Sequence, residues 1–305
     1  MNRVPAFVAL ETGSADDAIS ASSLWSESLS SIPVGDANSV YRRGTDRSGH
    51  RVACTEVWCS NKRAYDTVKL PGLAVLIYSK PVEPAITGGD VYYLSVCDQG
   101  MLSRVVLADV AGHGEAVGAA ALELQNLLKV HMNTLDQSAV MREINEAFSS
   151  ESEDLAQYAT AIVLSYDSRT GVLVFANAGH PPALWYHANQ RTWDWLHERT
   201  PHAVRAATGV PLGLIRGTEY EQTAVRLAEG DLLILYTDGI TECTNESTKE
   251  LGSEGLLRLL RSLSIEPSIA TAGDLMAAVE KFRGPRVCFD DQSIIVLQRI
   301  DRCLP

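Results

Sequence analysis

From residue 51 onward, apolar positions fall in short runs closed by Gly, Asp, Asn or Ser, the pattern of strands bounded by turns. RVACTEVW (51–58), GLAVLIYSK (72–80), DVYYLSVCDQG (90–100) and LSRVVLADV (102–110) read as four strands, with Asp98-Gln99-Gly100 as a hairpin turn between the last two. The period then changes. Residues 115 to 134 carry a broad apolar face with few β-branched side chains, and 138 to 150 repeat that pattern after Ser138, a helix N-cap residue type. Strands resume in YATAIVLSYDSRTGVLVFANAGH (158–180), around a Ser-Arg-Thr-Gly turn, and in ALWYHANQRTWDWL (183–196), around Ala188-Asn189-Gln190. VPLGLI, YEQTAVRL and DLLILYTDG are expected to extend this into a β-meander. EGLLRLLRSL and IATAGDLMAAVEKFRG read as helices and QSIIVLQRI as a last strand. Helices grouped between blocks of hairpin-linked strands predict an α+β layered domain over residues 51–305 rather than alternating βαβ units. Residues 1–50 are rich in Ser, Ala and Asp without a sustained period and are expected to form a partly disordered or helical lead-in.

Composition narrows the class. The chain has 305 residues, 46% hydrophobic and 21% charged, as a globular protein does. A formal net charge of -12 argues against a nucleic-acid partner, whose phosphates require a basic face. No stretch approaches the roughly 18 consecutive apolar residues of a membrane span, and the acidic N-terminal text does not read as a secretory signal, so a cytoplasmic location is expected. The six cysteines form no Cys-x-x-Cys pair; Cys54 and Cys59 have no second pair to complete a zinc site and are read as ordinary thiols.

The chemistry lies in the acids. Asp90, Asp109, Asp238 and Asp290, the last followed by Asp291, each sit at the edge of an apolar strand beside Gly or another small or acidic residue. One such Asp is ordinary turn chemistry. Four at strand edges, if the strands converge, form a cluster that stays ionised only when a cation neutralises it. Oxygen ligands without thiolate or imidazole favour a hard ion, Mg²⁺ or Mn²⁺. Two such ions about 4 Å apart would share a water, lower its pKa and aim it at a phosphoryl group. Gly88, Gly89, Gly112, Gly114 and Gly239 are expected to allow close approach to the ions, some of them at positive φ.

GGDVYY, LADVAGHG, TAIVLSYDSRTGVLVFANAGHPPALW, VPLGL, EGDLLILYTDGITE and DDQSIIVL, in this order over residues 84–300, resemble the metal-dependent PPM-type protein serine/threonine phosphatases, and most of all their bacterial SpoIIE-like branch. The resemblance implies an α-β-β-α sandwich of two antiparallel sheets flanked by helices. It also implies hydrolysis of phosphoserine or phosphothreonine on a regulatory protein, such as an anti-sigma-factor antagonist, by in-line attack of a water bridging two Mn²⁺ or Mg²⁺ ions. It makes Asp90 and Asp109 the catalytic ligands around that water, adds the backbone carbonyl of Val110 to the second metal, and completes the set with Asp238 and Asp290. The family pattern Asp-(Asn/Asp)-x-(Ser/Thr) favours Asp290 as ligand and Asp291 as its neighbour. His113 in the Gly-His-Gly turn is a candidate proton donor to the leaving serine oxygen. No partner beyond the phosphorylated protein is implied, and the oligomeric state stays open.

Other marked residues read as structural. Asn177, Gly179 and His180 are expected to shape a loop near the site, Glu242 to bond at a helix start, and Trp185, Trp193 and Trp195 to pack the meander. ILYTDGIT resembles the aspartyl-phosphate phosphotransferase motif, but Tyr236 stands where the nucleophilic Asp is required; GGDVY resembles the cyclic-dinucleotide synthase motif, but Val91 replaces its second acid. The alternatives left are a catalytically idle phosphatase fold that binds a phosphoprotein and a hydrolase of small phosphoesters.

Overall fold

The computed structural model describes residues 50–51, 57–97, 101–112, 117–131, 134, 136–149, 157–196, 209–263 and 267–301. The lead-in expected over 1–50 lies, up to residue 49, outside the described residues, as do Cys54, the turn at 98–100, His113 and Gly114.

The strands are β1 (His50–Arg51), β2 (Val57–Lys62), β3 (Ala64–Leu70), β4 (Leu73–Lys80), β5 (Thr87–Cys97), β6 (Leu102–Val110), β7 (Ala159–Asp167), β8 (Val172–Ala178), β9 (Leu184–His187), β10 (Thr192–Trp195), β11 (Gln222–Arg226), β12 (Leu232–Tyr236) and β13 (Gln292–Arg299). The helices are α1 (Gly118–Val130), α2 (Gln137–Phe148), α3 (Asp238–Thr241), α4 (Gly252–Ser262) and α5 (Thr271–Arg283). The strands form a seven-stranded sheet, β1-β3-β4-β13-β12-β9-β10, and a six-stranded sheet, β11-β8-β7-β6-β5-β2. Pairing is antiparallel except between β1 and β3.

Alternation along the strands explains the layering. Tyr92, Leu94, Val105 and Leu107 of the six-stranded sheet share one core with Leu233, Leu235, Ile295 and Leu297 of the seven-stranded sheet. Their neighbours point the other way. Val91, Tyr93, Val106 and Ala108 meet Leu124 and Leu128 of α1 and Met141 and Ile144 of α2; Ile234, Tyr236, Ile294 and Val296 meet Leu256 and Leu260 of α4 and Leu275 and Val279 of α5. Each sheet is thus apolar on both faces, which is why its strands read as continuous apolar runs. The result is the expected α-β-β-α sandwich.

Several local expectations are corrected. RVACTEVW is not one strand, since Arg51 belongs to β1 and Val57 and Trp58 to β2, in different sheets. AYDTVKL forms β3, an unforeseen strand. The meander changes sheets after β8: β7 and β8 lie in the six-stranded sheet, β9 and β10 in the other. VPLGLI is no strand and contributes only a bridge from Leu212 to Ala159. Helix α2 begins one residue before Ser138, and its cap is Asp136, whose carboxylate accepts from the Ala139 amide at 3.2 Å.

Candidate active site

The acids meet at one end of the sandwich. Asp90 lies near the start of β5 and Asp109 near the end of β6, and the antiparallel register sets them directly opposite each other. By parity with Tyr92 and Leu107 both belong to the face that looks toward the second sheet. That sheet delivers Asp238 at the start of α3, immediately after β12, and Asp290 just before β13, which pairs with β12. Thr237 ties the two sheets together here. Its hydroxyl donates to Oδ2 of Asp90 at 2.9 Å and accepts from the Ser293 amide at 2.9 Å.

Burial and crowding set the electrostatics. Asp90 is 3% exposed. Desolvation pushes its carboxyl well above the usual carboxylate range, and Asp291 and Asp290 push it further, against hydrogen bonds from Ser293 and Thr237 that favour the ionised form. Asp109 is likewise raised, first by burial, then by Asp90, Asp238 and Asp290. A hydrogen bond with Asp238 adds to this. Oδ1 of Asp238 is buried without a hydrogen-bond partner. The carboxylates face a common space without closing on one point: among the described residues no three His, Cys, Asp or Glu side chains gather as tightly as a bound ion requires. This crowding is the decisive observation, because two buried carboxyls raised by burial and by the acids around them, beside a buried Asp238 oxygen without a partner, need positive charge between them. This all-oxygen set fits Mg²⁺ or Mn²⁺.

Asp291 has a different task. It is 2% exposed, and its Oδ1 accepts from the Val82 amide at 2.6 Å while Oδ2 accepts from the Gly89 amide at 2.7 Å. This clamps the loop before Asp90 to the segment that carries Asp290. The glycines serve the clamp more than the acids. A Cβ at Gly88 would lie 2.3 Å from Asp291 Oδ2, one at Gly239 2.0 Å from the Asp291 carbonyl oxygen, and one at Gly89 2.6 Å from the Val110 carbonyl oxygen. The Val110 carbonyl therefore lies over Gly89, beside Asp90. Gly112, at φ 104°, does hold the left-handed turn expected after Asp109.

The loop after β8 behaves as expected. Asn177 donates to the His180 carbonyl at 3.0 Å and accepts from the His180 amide at 2.8 Å, around Gly179 at φ 70°. His180 then reaches both sheets: Nδ1 lies 2.9 Å from the Thr160 hydroxyl on β7, and the ring feels the backbone of Tyr236 on β12. Burial pushes its pKa down to about 3, partly offset by the Tyr236 backbone. Thr160 is the register partner of Asp109, so His180 stands directly behind the acids. Neither Thr237 nor this bracing role of His180 was assigned from sequence; the available signal was a small polar residue between the apolar text of β12 and Asp238.

Glu242 is corrected. It ends α3 rather than starting a helix, with its amide bonded to the Asp238 carbonyl at 2.7 Å. Its carboxyl is raised by desolvation, then by Asp238 and Asp290. Trp193 packs in the core beside Tyr186 at a ring separation of 5.1 Å, and Trp185 donates to the buried carboxylate of Asp231 at 3.0 Å. Cys59 is a buried free thiol, pushed up to about 12 by desolvation. A cavity of about 500 Å³ lies elsewhere, between the β9–β10 hairpin and helices α4 and α5, near the end of β12 remote from Asp238.

The family model described as Stage II sporulation protein E (SpoIIE) matches residues 100–300. The chain belongs to the SpoIIE family. Asp109, Asp238 and Asp290 fall within the matched stretch, while Asp90 precedes it and is joined to the set by its register with Asp109. The chain is similar to the phosphoserine phosphatase RsbP of Bacillus subtilis, 31% identical over 160 residues, which cover 51% of this chain and 37% of RsbP. It is similar to the phosphoserine phosphatase RsbU of the same organism, 25% identical over 215 residues, covering 68% of this chain and 58% of RsbU. The chain thus spans about a third to under two thirds of these relatives' lengths. Among solved structures, the SiaA PP2C domain of Pseudomonas aeruginosa shares the fold at TM-score 0.61 and 23% identity, covering 74% of this chain and 86% of that one. The PP2C phosphatase domain of Bacillus subtilis SpoIIE, solved with a fragment of its regulatory domain, shares it at TM-score 0.61 and 21% identity, over 76% and 63%. No helix among the described residues is long and apolar enough to cross a membrane.

Proposed function

We propose that this SpoIIE-family chain is a metal-dependent protein phosphatase that removes phosphate from phosphoserine or phosphothreonine on a regulatory protein of the anti-sigma-factor antagonist kind. The observation that carries the reading is the meeting of Asp90 and Asp109, opposed in register, with Asp238 and Asp290 from the second sheet. The names of RsbP and RsbU support the substrate class. Asp90, Asp109, Asp238 and Asp290 would hold the cations, with the Val110 carbonyl as a further oxygen. Mn²⁺ or Mg²⁺, when bound, supplies positive charge to the phosphoryl oxygens and lowers the pKa of water for in-line attack.

The chain's own residues do the rest. The Thr237 hydroxyl holds Oδ2 of Asp90, which leaves that carboxylate one defined orientation. The Asp291 clamp holds the loop before Asp90 at a set distance from Asp290. His180, neutral near pH 7, braces β7 against β12 without adding a charge behind the acids. The test is phosphate release from a phosphoserine protein and from a small aryl phosphate, each with Mn²⁺, with Mg²⁺ and with excess chelator. Metal-dependent release from the phosphoprotein is expected. Full turnover in chelator after exhaustive dialysis would refute the metal requirement, and a strong preference for free nucleotides would refute the substrate class.

A further inference from the structure

Three large apolar side chains stand in solvent at the rim of the acid cluster: Ile86 is 70% exposed, Val287 71% and Phe289 77%. Ile86 lies four positions before Asp90, and Phe289 immediately precedes Asp290. The two segments are joined. Asp291 accepts from Val82 and Gly89, the two ends of the loop that carries Ile86, so this loop is bound to the segment carrying Val287 and Phe289.

That second segment is also held from beneath. Arg286 donates to the Thr244 hydroxyl and the Glu246 carbonyl, each at 3.3 Å, and Arg283 donates to Sγ of Cys288 at 2.5 Å. Exposure alternates along it: Arg286, Cys288 and Asp290 are partly covered, Val287 and Phe289 open. The fold therefore anchors the alternate residues and leaves the two apolar ones outward. Isolated exposed apolar residues need no explanation, but three on two clamped segments beside one site form a patch of the kind that marks a binding surface.

We infer that Ile86, Val287 and Phe289 recognise the substrate chain, binding apolar side chains that flank the phosphorylated serine. The inference rests on the phosphatase reading above and extends it to specificity. Its reason is one of position. A phosphoserine delivered to the acids carries its neighbouring residues across the segments next to Asp90 and Asp290, so the substrate's own chain is the occupant that must cover this rim. A rim already fixed by the Asp291 clamp binds without the entropic cost of ordering two loops. A small aryl phosphate reaches the acids without touching it.

The test uses two synthetic phosphoserine peptides, one with leucine on both sides of the phosphoserine and one with glycine and serine there, together with para-nitrophenyl phosphate, all in Mn²⁺. The wild-type chain should hydrolyse the leucine-flanked peptide with kcat/KM about tenfold or more above the other, the discrimination one small apolar contact supplies. Val287→Ser with Phe289→Ser should abolish that preference and leave kcat/KM for para-nitrophenyl phosphate within about twofold, because exposed positions are replaced without disturbing the fold. Equal rates on both peptides, or a preference that survives the double substitution, would overturn the inference and leave the phosphatase reading intact. Failure of the wild type to release phosphate from either peptide while it hydrolyses the aryl phosphate would overturn both. A dimer in sedimentation that the two substitutions abolish would assign the patch to a second copy of the chain and likewise overturn it.

Discussion

At the scale of single residues, Asp290 and Asp291 separate two tasks that adjacent identical side chains conceal. Asp290 adds its charge to Asp90 and Asp109; Asp291 spends both oxygens on backbone amides. Asp290→Asn is expected to weaken metal binding and lower turnover by a factor on the order of 10², the scale for losing a central electrostatic group, with little change in thermal stability of the metal-free protein. Asp291→Asn should do the reverse. Asn retains one acceptor and turns an amide N–H toward a backbone N–H, which leaves a buried donor unpaired at a cost of about 1–3 kcal/mol. Thermal unfolding in chelator and Mn²⁺ titration of both variants check this pair of outcomes. If Asp291→Asn loses metal binding at unchanged stability, the roles are exchanged.

At the scale of elements, Arg104 shows what joins α1 to its sheet. It lies on β6, 1% exposed, and its guanidinium donates to Ser165 Oγ and to the carbonyls of His131 and Thr134 beyond the end of α1. The His131 carbonyl also accepts from the Thr134 amide at 3.0 Å, so the guanidinium closes the turn that follows α1. Desolvation lowers its pKa, but its planar fork keeps several donors in place. Arg104→Lys should therefore destabilise by roughly 2–4 kcal/mol, since one ammonium cannot span these acceptors while buried; urea unfolding measures it, and a loss below 0.5 kcal/mol would contradict this role.

The same scale shows where sequence reading ended. Strands β4, β5, β6, β12 and β13 were legible because both faces are buried and their apolar text is continuous. β3 was not, because Asp66 stands at the position in line with buried Val68 and Leu70, which leaves only the short apolar alternation Val68, Leu70 between polar residues, in a strand covered on its outer edge by the two residues of β1 alone. The passage from β8 to β9 into the other sheet was invisible because the Asn177–His180 knot looks like any turn in sequence, and strand text does not state its partner sheet. Asp136 caps α2 in place of Ser138 because both are capping types two positions apart. The acids were legible by context, but which of them share a space depended on register.

At the scale of the whole molecule, His180 links the two sheets and makes the fold sensitive to acid. Its folded pKa of about 3 lies below the ordinary value of 6.5, so between these values the unfolded chain binds a proton that the folded one excludes. Stability from this group is complete above pH 6.5 and falls as pH drops toward 3, by roughly 1.4 kcal/mol per pH unit at most. His180→Gln should flatten the dependence of stability on pH in that window, although it lowers stability at pH 7 by loosening the bracket between Thr160 and Tyr236. Denaturant unfolding at pH 4, 5, 6 and 7 decides it; an unchanged slope would place the acid sensitivity in other groups.

The central claim is that Asp90, Asp109, Asp238 and Asp290 together hold divalent cations. Calorimetric titration of Mn²⁺ into the chain and into its Asp109→Asn and Asp238→Asn variants tests it most directly, without requiring a substrate. Two ions per wild-type chain are predicted, with at least one lost or weakened by about tenfold or more in each variant while circular dichroism stays unchanged. Wild-type Mn²⁺ binding that neither substitution alters would contradict the account.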